Sequence, residues 1–225
     1  MGLEQVAETY LTEENFDREL NKWMQEIQPY SFRRPEPVMR KEIALVVVDM
    51  TKPFVDSDRP LASPNSRVIV PRLQELVEAF REAACPVLWV VQGHHSVAHD
   101  RGDHLASWWP LPLLEGTEDV EVAEGLEVRA DEKVIVKRRY SGFYQTDLDL
   151  TLRNLGVSQL VICGVLTNVC PYTTAFDAFF RDFTVFYPAD CTASLNRELH
   201  VSALKNIAIW CGHVVRTREI TAQLL

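Results

Sequence analysis

Five polar residues that could take part in chemistry lie after short apolar runs of the chain. Asp49 follows IALVVV, Gln92 follows VLWVV, Lys137 follows KVIV, Cys170 follows QLVIC and the loop GVLTNV, and Asp190 follows TVFYPA. If these runs are parallel strands, their carboxyl ends meet at one edge of the sheet, where open α/β sheets bind ligands. The sequence therefore predicts that two carboxylates, an amide, an ammonium and a thiol converge at that edge.

Each of these groups also has an ordinary structural explanation. Asp49 is in position to cap the turn after its strand, Lys137 begins the charged run KRR, and Asp190 suits a turn acceptor in PADC. Cys170, like the other cysteines, fits a small buried hydrophobic residue. Random placement would scatter such groups, so their joint occurrence at predicted strand ends favours a catalytic site.

The residue after Cys170 puts this cysteine at the start of a helix. Pro171 follows directly, and proline prefers the first helical position, so Cys170 lies at or near the N-cap. The unpaired N–H groups and the positive dipole end there favour thiolate over thiol, and a nearby Lys137 ammonium would lower the thiol pKa further. The same N–H groups can stabilise a developing oxyanion. This pattern predicts a nucleophilic cysteine with a lowered pKa.

The elements that must position these groups alternate along the chain. Short apolar runs typical of buried parallel strands lie at Ile43–Val48, Pro86–Val91, Lys133–Val136, Gln159–Cys163 and Thr184–Tyr187. Helical patterns lie at Ser66–Ala84, Thr146–Leu155, Pro171–Asp182 and Arg197–Trp210. Such alternation predicts an α/β fold, a three-layer α/β/α sandwich with a mostly parallel central sheet and right-handed crossovers.

Two segments fall outside this alternation. Residues 1–41 are charged, with one apolar helical stripe of Trp23, Met24 and Ile27, so we expect an N-terminal arm or leader helix. Residues 42–225 form the predicted catalytic domain. Within it, Gln92–Ala130 is too long for a plain loop, which predicts a lid-like insertion around residues 93–130.

Composition excludes several classes of protein. The chain has 225 residues, 47% hydrophobic and 24% charged, as expected for one large globular domain. Its net charge is −9, and phosphate binding needs a basic face, so we expect no nucleic-acid partner. No apolar run approaches the roughly 20 residues that span a bilayer, so we expect no membrane partner, and the acidic N-terminus lacks a signal-peptide pattern. Five cysteines without paired spacing favour free thiols in a reducing, cytoplasmic compartment.

Three motifs resemble the isochorismatase-like cysteine hydrolase superfamily: ALVVVDM at 44–50, VIVKRRYSGFYQTDLDLTLRNLG at 134–156 and LVICGVLTNVCPYTTAFDA at 160–178. The resemblance implies a Rossmann-like topology and a catalytic triad of Asp49, Lys137 and Cys170. It also implies a cis peptide bond at Val165–Leu166, with the backbone N–H groups of Leu166 and Cys170 as oxyanion donors. Members of the superfamily are commonly oligomers, which implies a homodimer or homotetramer here.

Nicotinamidase-like members of this superfamily carry a metal site with an Asp-x-His pattern after the second strand. Here that stretch is Gln92, Gly93 and His94, so the carboxylate is missing. The next histidines match no familiar ligand spacing; they are His95, His99 and His104. We therefore interpret these histidines as lid or pocket residues and expect neither a metal nor another cofactor.

The stretch QGHHSVAHDRGDHLASWWP resembles the isochorismatase branch instead. In that branch a glutamine at the strand end and an arginine nine residues later contact the substrate, and Gln92 and Arg101 have this spacing. An arginine can hold a substrate carboxylate with two hydrogen bonds. Surface pairing of Arg101 with Asp100 or Asp103 is the alternative.

Aromatic residues supply the other candidates for substrate contact. Besides Gln92 and Arg101, the substrate-binding candidates are Trp108, Tyr140 and Phe143. Trp109 and Tyr172 are further candidate walls of the pocket. Aromatic residues are more often plain core, so only packing can decide between these roles.

Three hypotheses about function follow. In the first, Cys170 is the nucleophile of a cysteine amidohydrolase that cleaves a C–N bond of a small-molecule amide, carbamoyl compound or lactam through a thioester. In the second, the protein is an isochorismate-type vinyl-ether hydrolase that uses Asp49 as the acid. In the third, it is a non-catalytic binding module on the same fold. The ether-cleaving branch has a small residue at the position of Cys170 and commonly an aromatic one at Leu166, so this chain favours carbonyl chemistry.

Overall fold

A parallel β-sheet lies at the centre of the molecule in this computed structural model, which describes residues 5–57, 59, 61–109 and 111–224. Its strands are Ile43–Val48 (β1), Val87–Gln92 (β2), Lys133–Lys137 (β3), Gln159–Val165 (β4), Thr184–Pro188 (β5), Thr192–Ala193 (β6) and His213–Val215 (β7). Their spatial order is β3-β2-β1-β4-β5-β7, and β6 pairs with β4. All paired strands are parallel.

Helices surround this sheet. They are Phe16–Ile27 (α1), Lys52–Val55 (α2), Pro64–Val68 (α3), Val70–Glu82 (α4), Gly102–Trp108 (α5), Leu148–Asn154 (α6), Cys170–Phe179 (α7), Arg197–Trp210 (α8) and Thr217–Leu224 (α9). Helix α4 packs on β1, β2 and α9, whereas α7 packs on β4, β5 and α8. Strands β1 and β4 are buried along their whole length, as continuous Val- and Ile-rich runs predict. The predicted three-layer α/β fold is confirmed.

One sequence expectation about the elements is wrong in detail, and three short or terminal elements are not predicted. The helix expected at Ser66–Ala84 is two helices, α3 and α4, which meet at Ile69. Pro71 lies at the start of α4 and has no N–H to continue the hydrogen bonds of a preceding helix. Strands β6 and β7 were not predicted, because two or three residues carry no recognisable pattern, and the last helix, α9, was also missed.

The N-terminal arm packs against the body of the protein. Helix α1 contacts α8, and the side chains of Trp23 and Ile27 are fully buried, whereas Met24 is half-buried. Nearer the N-terminus, Glu8 N–H donates to Leu195 O at 2.8 Å. Among the described residues, no helix is both long and apolar enough to cross a membrane.

The segment between β2 and β3 contains a π-helical turn at Val97–Arg101, helix α5 and a 3₁₀ turn at Glu118–Val120. An isolated bridge between Thr51 and Val122 ties this segment to the chain just after β1, and a bridge between His94 and Leu114 joins two parts of the segment itself. The segment therefore lies beside the carboxyl ends of β1 and β2, where Asp49 and Gln92 are.

Candidate active site

The site lies where the strand order of the sheet reverses. Strands β2 and β3 extend the sheet on one side of β1, and β4 and β5 extend it on the other. In open α/β sheets, a crevice for ligands forms at such a switch point, beyond the carboxyl ends of the strands. Asp49 comes directly after β1, and Cys170 begins α7 just after β4, so both border this crevice.

Asp49, Lys137 and Gln92 form one buried polar cluster. Asp49 Oδ2 lies 2.8 Å from Lys137 Nζ, and both side chains are almost completely buried. Lys137 Nζ also donates to Gln92 Oε1 at 2.8 Å, and the Gln92 backbone N–H donates to Asp49 Oδ1 at 2.8 Å. Gln92 and Lys137 are paired residues of β2 and β3, so the sheet register itself places them side by side.

The Cys170 side chain completes this cluster. Its thiol contacts both the Asp49 carboxylate and the Lys137 ammonium. Cys170 is the first residue of α7, and Val169 is the N-cap. Pro171 is therefore the second helical residue, whereas the sequence predicts it as the first. The structure therefore brings a thiol, a carboxylate and an ammonium into mutual contact, as expected from the strand ends.

The expected lowering of the Cys170 pKa is wrong. Burial raises the pKa of this thiol, the Asp49 carboxylate raises it further, and the Lys137 ammonium lowers it too little to compensate. Although desolvation opposes the charge of Lys137, Asp49 and Cys170 hold the pKa of this lysine above its usual value. The resting site is therefore a neutral thiol beside a carboxylate–ammonium pair, which suits a mechanism in which the carboxylate removes the thiol proton.

The end of β4 lies tightly against the end of β1. A side chain at Gly164 would bring Cβ within 1.9 Å of Val48 O, and Gly164 has a φ of +109°, so only glycine fits here. The peptide bond Val165–Leu166 is cis, as the resemblance implies. Leu166 and Cys170 both line the cavity beside the cluster.

The cavity beside the cluster is narrow, with a volume of about 20 Å³, which is room for little more than one water molecule. Asp49, Gln92 and Cys170 form its polar end. Its remaining walls are mostly apolar, and they include Phe54, Leu105, Trp109, Leu111, Leu113, Tyr140, Val165, Leu166 and Val169.

Arg101 is the buried cation of this cavity. Only 4% of the residue is exposed, and a guanidinium N–H donates to Trp109 O. Within the described part of the chain, Arg101 forms no ion pair with an acid, so the alternative pairing with Asp100 or Asp103 is wrong. Asp100 instead lies 2.7 Å from Arg138 Nε.

Two of the predicted substrate-binding aromatics lie elsewhere. Trp108 is the last residue of α5 and is 70% exposed. The backbone becomes extended at Trp109, so the Trp109 ring, and not the Trp108 ring, faces inward. Trp109 Nε1 then donates to Tyr140 Oη at 2.7 Å. Phe143 is buried against Phe183, with ring centroids 6.0 Å apart, and is not a wall of the cavity. Tyr172 is not a wall either.

Asp190 does not join the site. Its carboxylate accepts hydrogen bonds from the backbone N–H and the hydroxyl of Thr217, so it caps α9. It borders a larger open cleft between α4 and α9. That cleft contains paired charges, such as Arg72 with Glu75, and its lining includes no cysteine.

The histidines after β2 do not suit a metal site. His94 is buried, and its Nε2 lies 2.9 Å from Gln92 Nε2. His95, Asp100 and Glu115 have potential ligand atoms within 4.8 Å of one another. The Arg138 guanidinium occupies that position, 2.5 Å from Glu115 Oε1, 2.7 Å from Asp100 Oδ2 and 3.1 Å from His95 Nε2. A bound cation would have to displace this arginine. His99 and His104 are exposed.

Comparison with known proteins now identifies the family. The sequence profile of the isochorismatase domain matches residues 43–219. The chain belongs to the isochorismatase-like hydrolase family. It is similar to nicotinamidase 3 of Arabidopsis thaliana, with 31% identity over 87% of this chain and 95% of that protein. It is also 32% identical to the ureidoacrylate amidohydrolase of Methylobacterium radiotolerans, over 80% of each chain.

Among solved structures, this isochorismatase-like hydrolase is similar to a cysteine hydrolase from Pseudomonas syringae pv. phaseolicola. The two superpose with a TM-score of 0.81 at 30% identity, over 84% of this chain and 95% of the other. The match to the family profile begins at the first residue of β1, so the N-terminal arm lies outside it.

Sequence reasoning missed the central position of one residue. His94 forms a wall of the cavity and contacts Gln92 directly. The signal in the sequence was that His94 comes two residues after Gln92, the last residue of β2. Alternate side chains of an extended chain lie on the same face, so His94 and Gln92 share one. That signal does not distinguish a cavity wall from a solvent-facing lid residue.

Proposed function

We propose that the protein is a cysteine hydrolase that cleaves a C–N bond of a small molecule through a thioester on Cys170. The observation that carries the proposal is the contact of the Cys170 thiol with Asp49 and Lys137 at the polar end of a narrow, mostly apolar cavity. The amidohydrolases among its relatives, a nicotinamidase and a ureidoacrylate amidohydrolase, support this class of substrate.

The raised pKa of Cys170 determines how attack begins. Because the resting group is a thiol, Asp49 accepts its proton as the sulfur adds to the substrate carbonyl. Lys137 stays protonated and stabilises the negative charge as it passes from the Asp49 carboxylate to the sulfur. The backbone N–H groups of Leu166 and Cys170 then stabilise the oxyanion of the tetrahedral intermediate.

Collapse of this intermediate breaks the C–N bond. The protonated Asp49 gives its proton to the leaving nitrogen, which departs as ammonia or an amine, and the acyl group remains on Cys170 as a thioester. A water molecule then loses a proton to Asp49 and attacks the thioester. The second collapse releases the acid product, and the sulfur takes the proton back from Asp49, so the site returns to its resting state.

Replacement of the nucleophile tests this mechanism. Cys170→Ala and Cys170→Ser should lower turnover by about 10⁴-fold or more, since loss of a nucleophile in comparable sites costs at least this much. The measurement uses a panel of small amides, ureas and lactams. Mass spectrometry of the quenched wild-type enzyme should show an acyl adduct on the peptide that contains Cys170. Cys163→Ala is the matched control, because this buried cysteine lies on β4 away from the cavity wall. Turnover that survives in Cys170→Ala contradicts the mechanism.

Arg101 supports a substrate with a carboxylate group. A buried guanidinium without an acidic partner among the described residues is costly unless a ligand supplies the negative charge. Arg101→Met should raise KM for carboxylate-bearing substrates about 10- to 100-fold, the equivalent of about 1.5–3 kcal/mol for a charged hydrogen bond. Substrates without a carboxylate should change little. Arg218→Met on the surface helix α9 is the control, and an equal effect on both substrate classes would contradict this role.

One observation favours a second candidate. Gln92 and Arg101 both line the cavity, with the spacing of the substrate-binding pair in the ether-cleaving branch. In that reading, Asp49 protonates the vinyl ether of isochorismate and Cys170 takes no part. The same panel therefore includes isochorismate. Hydrolysis of isochorismate that is unchanged in Cys170→Ala would support this candidate over the amidohydrolase.

A further inference from the structure

We infer that His94 is a positioning residue that fixes the orientation of the Gln92 amide and thereby holds Lys137 on Asp49 and Cys170. The inference rests on the proposed function only in that Cys170 is the nucleophile. It follows from the chain of contacts from His94 through Gln92 to Lys137.

The first step is the orientation of the Gln92 amide. The Lys137 ammonium has only donors, so the Gln92 atom that lies 2.8 Å from Nζ must be the carbonyl oxygen. The amide nitrogen therefore faces away from the lysine, towards His94. A flipped amide would direct its N–H groups at the ammonium and remove one of the contacts that hold Lys137 in place.

The second step is the tautomer of His94. Gln92 Nε2 lies 2.9 Å from His94 Nε2, and since the amide nitrogen is a donor, this ring nitrogen must accept. The neutral ring then carries its proton on Nδ1, which faces Asp100 Oδ1 at 3.7 Å. Only this tautomer satisfies both the amide and the lysine.

The third step is the environment that maintains this tautomer. His94 is 1% exposed, and burial lowers its pKa to about 4, so the ring is neutral at pH 7. The charged groups that face it are Asp100, which favours a proton on the ring, and Arg101, Arg138 and Arg139, which oppose one. Arg138 in turn holds the Asp100 carboxylate at 2.7 Å, beside Nδ1. A doubly protonated ring would present an N–H to the amide N–H and break the contact.

His94 therefore affects Cys170 through Gln92 and Lys137, without a direct contact with Cys170. The polar chain runs from Asp100 through His94 and Gln92 to Lys137. Lys137, at the end of this chain of contacts, lowers the pKa of Cys170. If Lys137 moved away, only burial and Asp49 would act on the thiol, and both raise its pKa. The reactivity of Cys170 therefore depends on which nitrogen of His94 carries the proton.

Matched substitutions test the inference without a known substrate. A glutamine at position 94 can place an acceptor where His94 Nε2 lies, whereas asparagine is too short to reach Gln92. We expect His94→Gln to keep the rate of Cys170 alkylation by iodoacetamide within about threefold of the wild-type rate. His94→Asn and His94→Leu should slow it at least tenfold at pH 8 and move the pH profile to higher pH. Equal rates in all variants, or equal losses in all three, would overturn the inference.

A direct measurement covers the case in which a variant does not fold. Nitrogen-15 NMR of the wild-type imidazole should show the neutral form protonated on Nδ1 from pH 8 down to about pH 5. A proton on Nε2 would overturn the inference, because Gln92 could not then donate to that atom. Failure of the proposed function has a different signature, since turnover would survive in Cys170→Ala while the alkylation rates still depended on His94.

Discussion

At the scale of single residues, the buried charges of Asp49 and Lys137 depend on each other. Both side chains are withdrawn from water, and each ion is tolerated because the other lies 2.8 Å away. Gln92 supplies the additional hydrogen bonds that such a pair needs, through its side-chain oxygen to Lys137 and its backbone N–H to Asp49. Burial therefore makes each charge necessary for the stability of the other, and the pair remains available for chemistry.

Neutralisation of one partner or of both separates these two roles. Lys137→Met alone should lower the free energy of unfolding by about 3–5 kcal/mol, because it leaves a buried carboxylate without a partner. The double variant Asp49→Asn, Lys137→Met should recover most of this loss, since no buried charge remains, yet it should stay inactive. Urea denaturation measures the stability of each variant. A double variant that is as unstable as the sum of the single ones would contradict this account.

At the scale of elements, the N-terminal arm is fastened through one buried amide. Asn65, in α3, accepts from the backbone N–H groups of Tyr10 and Leu11, both at 3.1 Å. The same side chain donates to Glu8 O at 2.8 Å and Ser194 O at 3.1 Å. Asn65 therefore joins the arm to the strand-end segment around β6 with both ends of its amide.

The substitution Asn65→Ala should detach this part of the arm. We expect the free energy of unfolding to fall by about 2–4 kcal/mol, since several buried backbone groups lose their partner together. Limited proteolysis should then cut within the first 15 or so residues sooner than in the wild type. Asn206→Ala is the control, because its amide only donates to Ser202 O at 3.0 Å on an exposed helix face. A loss no greater than that of the control would show that the arm is held by its apolar contacts alone.

A second set of contacts connects the N-terminal arm to the loop before α7. The rings of Trp23 and His200 pack together with their centroids 4.4 Å apart, and His200 Nδ1 is 2.8 Å from the Thr167 hydroxyl. Thr192 donates a hydrogen bond to that hydroxyl, so the Thr167 O–H in turn donates one to His200 Nδ1. Thr167 follows the cis peptide bond directly, and its position is therefore supported from the side away from the cavity.

At the scale of the whole molecule, buried neutral histidines link stability to pH. Burial lowers the pKa of His200 to about 3 and that of His94 to about 4. A histidine in the unfolded chain has a pKa of about 6.5. At a pH between this value and the folded pKa, the unfolded histidine is protonated and the folded one is not. The unfolded state then binds more protons, so stability falls as the pH drops from about 6.5 towards 4.

Removal of one such histidine should flatten this dependence. Each contributes up to about 1.4 kcal/mol per pH unit in that window, and His200→Asn keeps an acceptor near Thr167 without a titrating group. The slope of unfolding free energy between pH 5 and pH 6 should fall by about this amount in His200→Asn. His104→Asn, at an exposed position on α5, should leave the slope unchanged. An unchanged slope in His200→Asn would contradict the burial of a neutral ring.

Much of the fold could be predicted from local patterns. Strand β1 was predicted with its observed bounds, Ile43–Val48, and helix α8 with its bounds at Arg197–Trp210. Continuous apolar runs and helical periodicity are properties of neighbouring residues, so they survive without knowledge of the partners. The short strands β6 and β7 could not be predicted, because they exist only through pairing with β4 and β5.

The sequence alone determined which chemical groups follow the buried strands, because strand ends and a proline after Cys170 are local signals. Only the tertiary structure decided the protonation state, the orientation and the hydrogen-bond partners of those groups. Burial turned the expected thiolate into a thiol, the turn after α5 exchanged Trp108 for Trp109, and the contact with Thr217 held Asp190 outside the site. Desolvation and hydrogen-bond partners depend on every element packed around a group, and these elements come from distant parts of the chain.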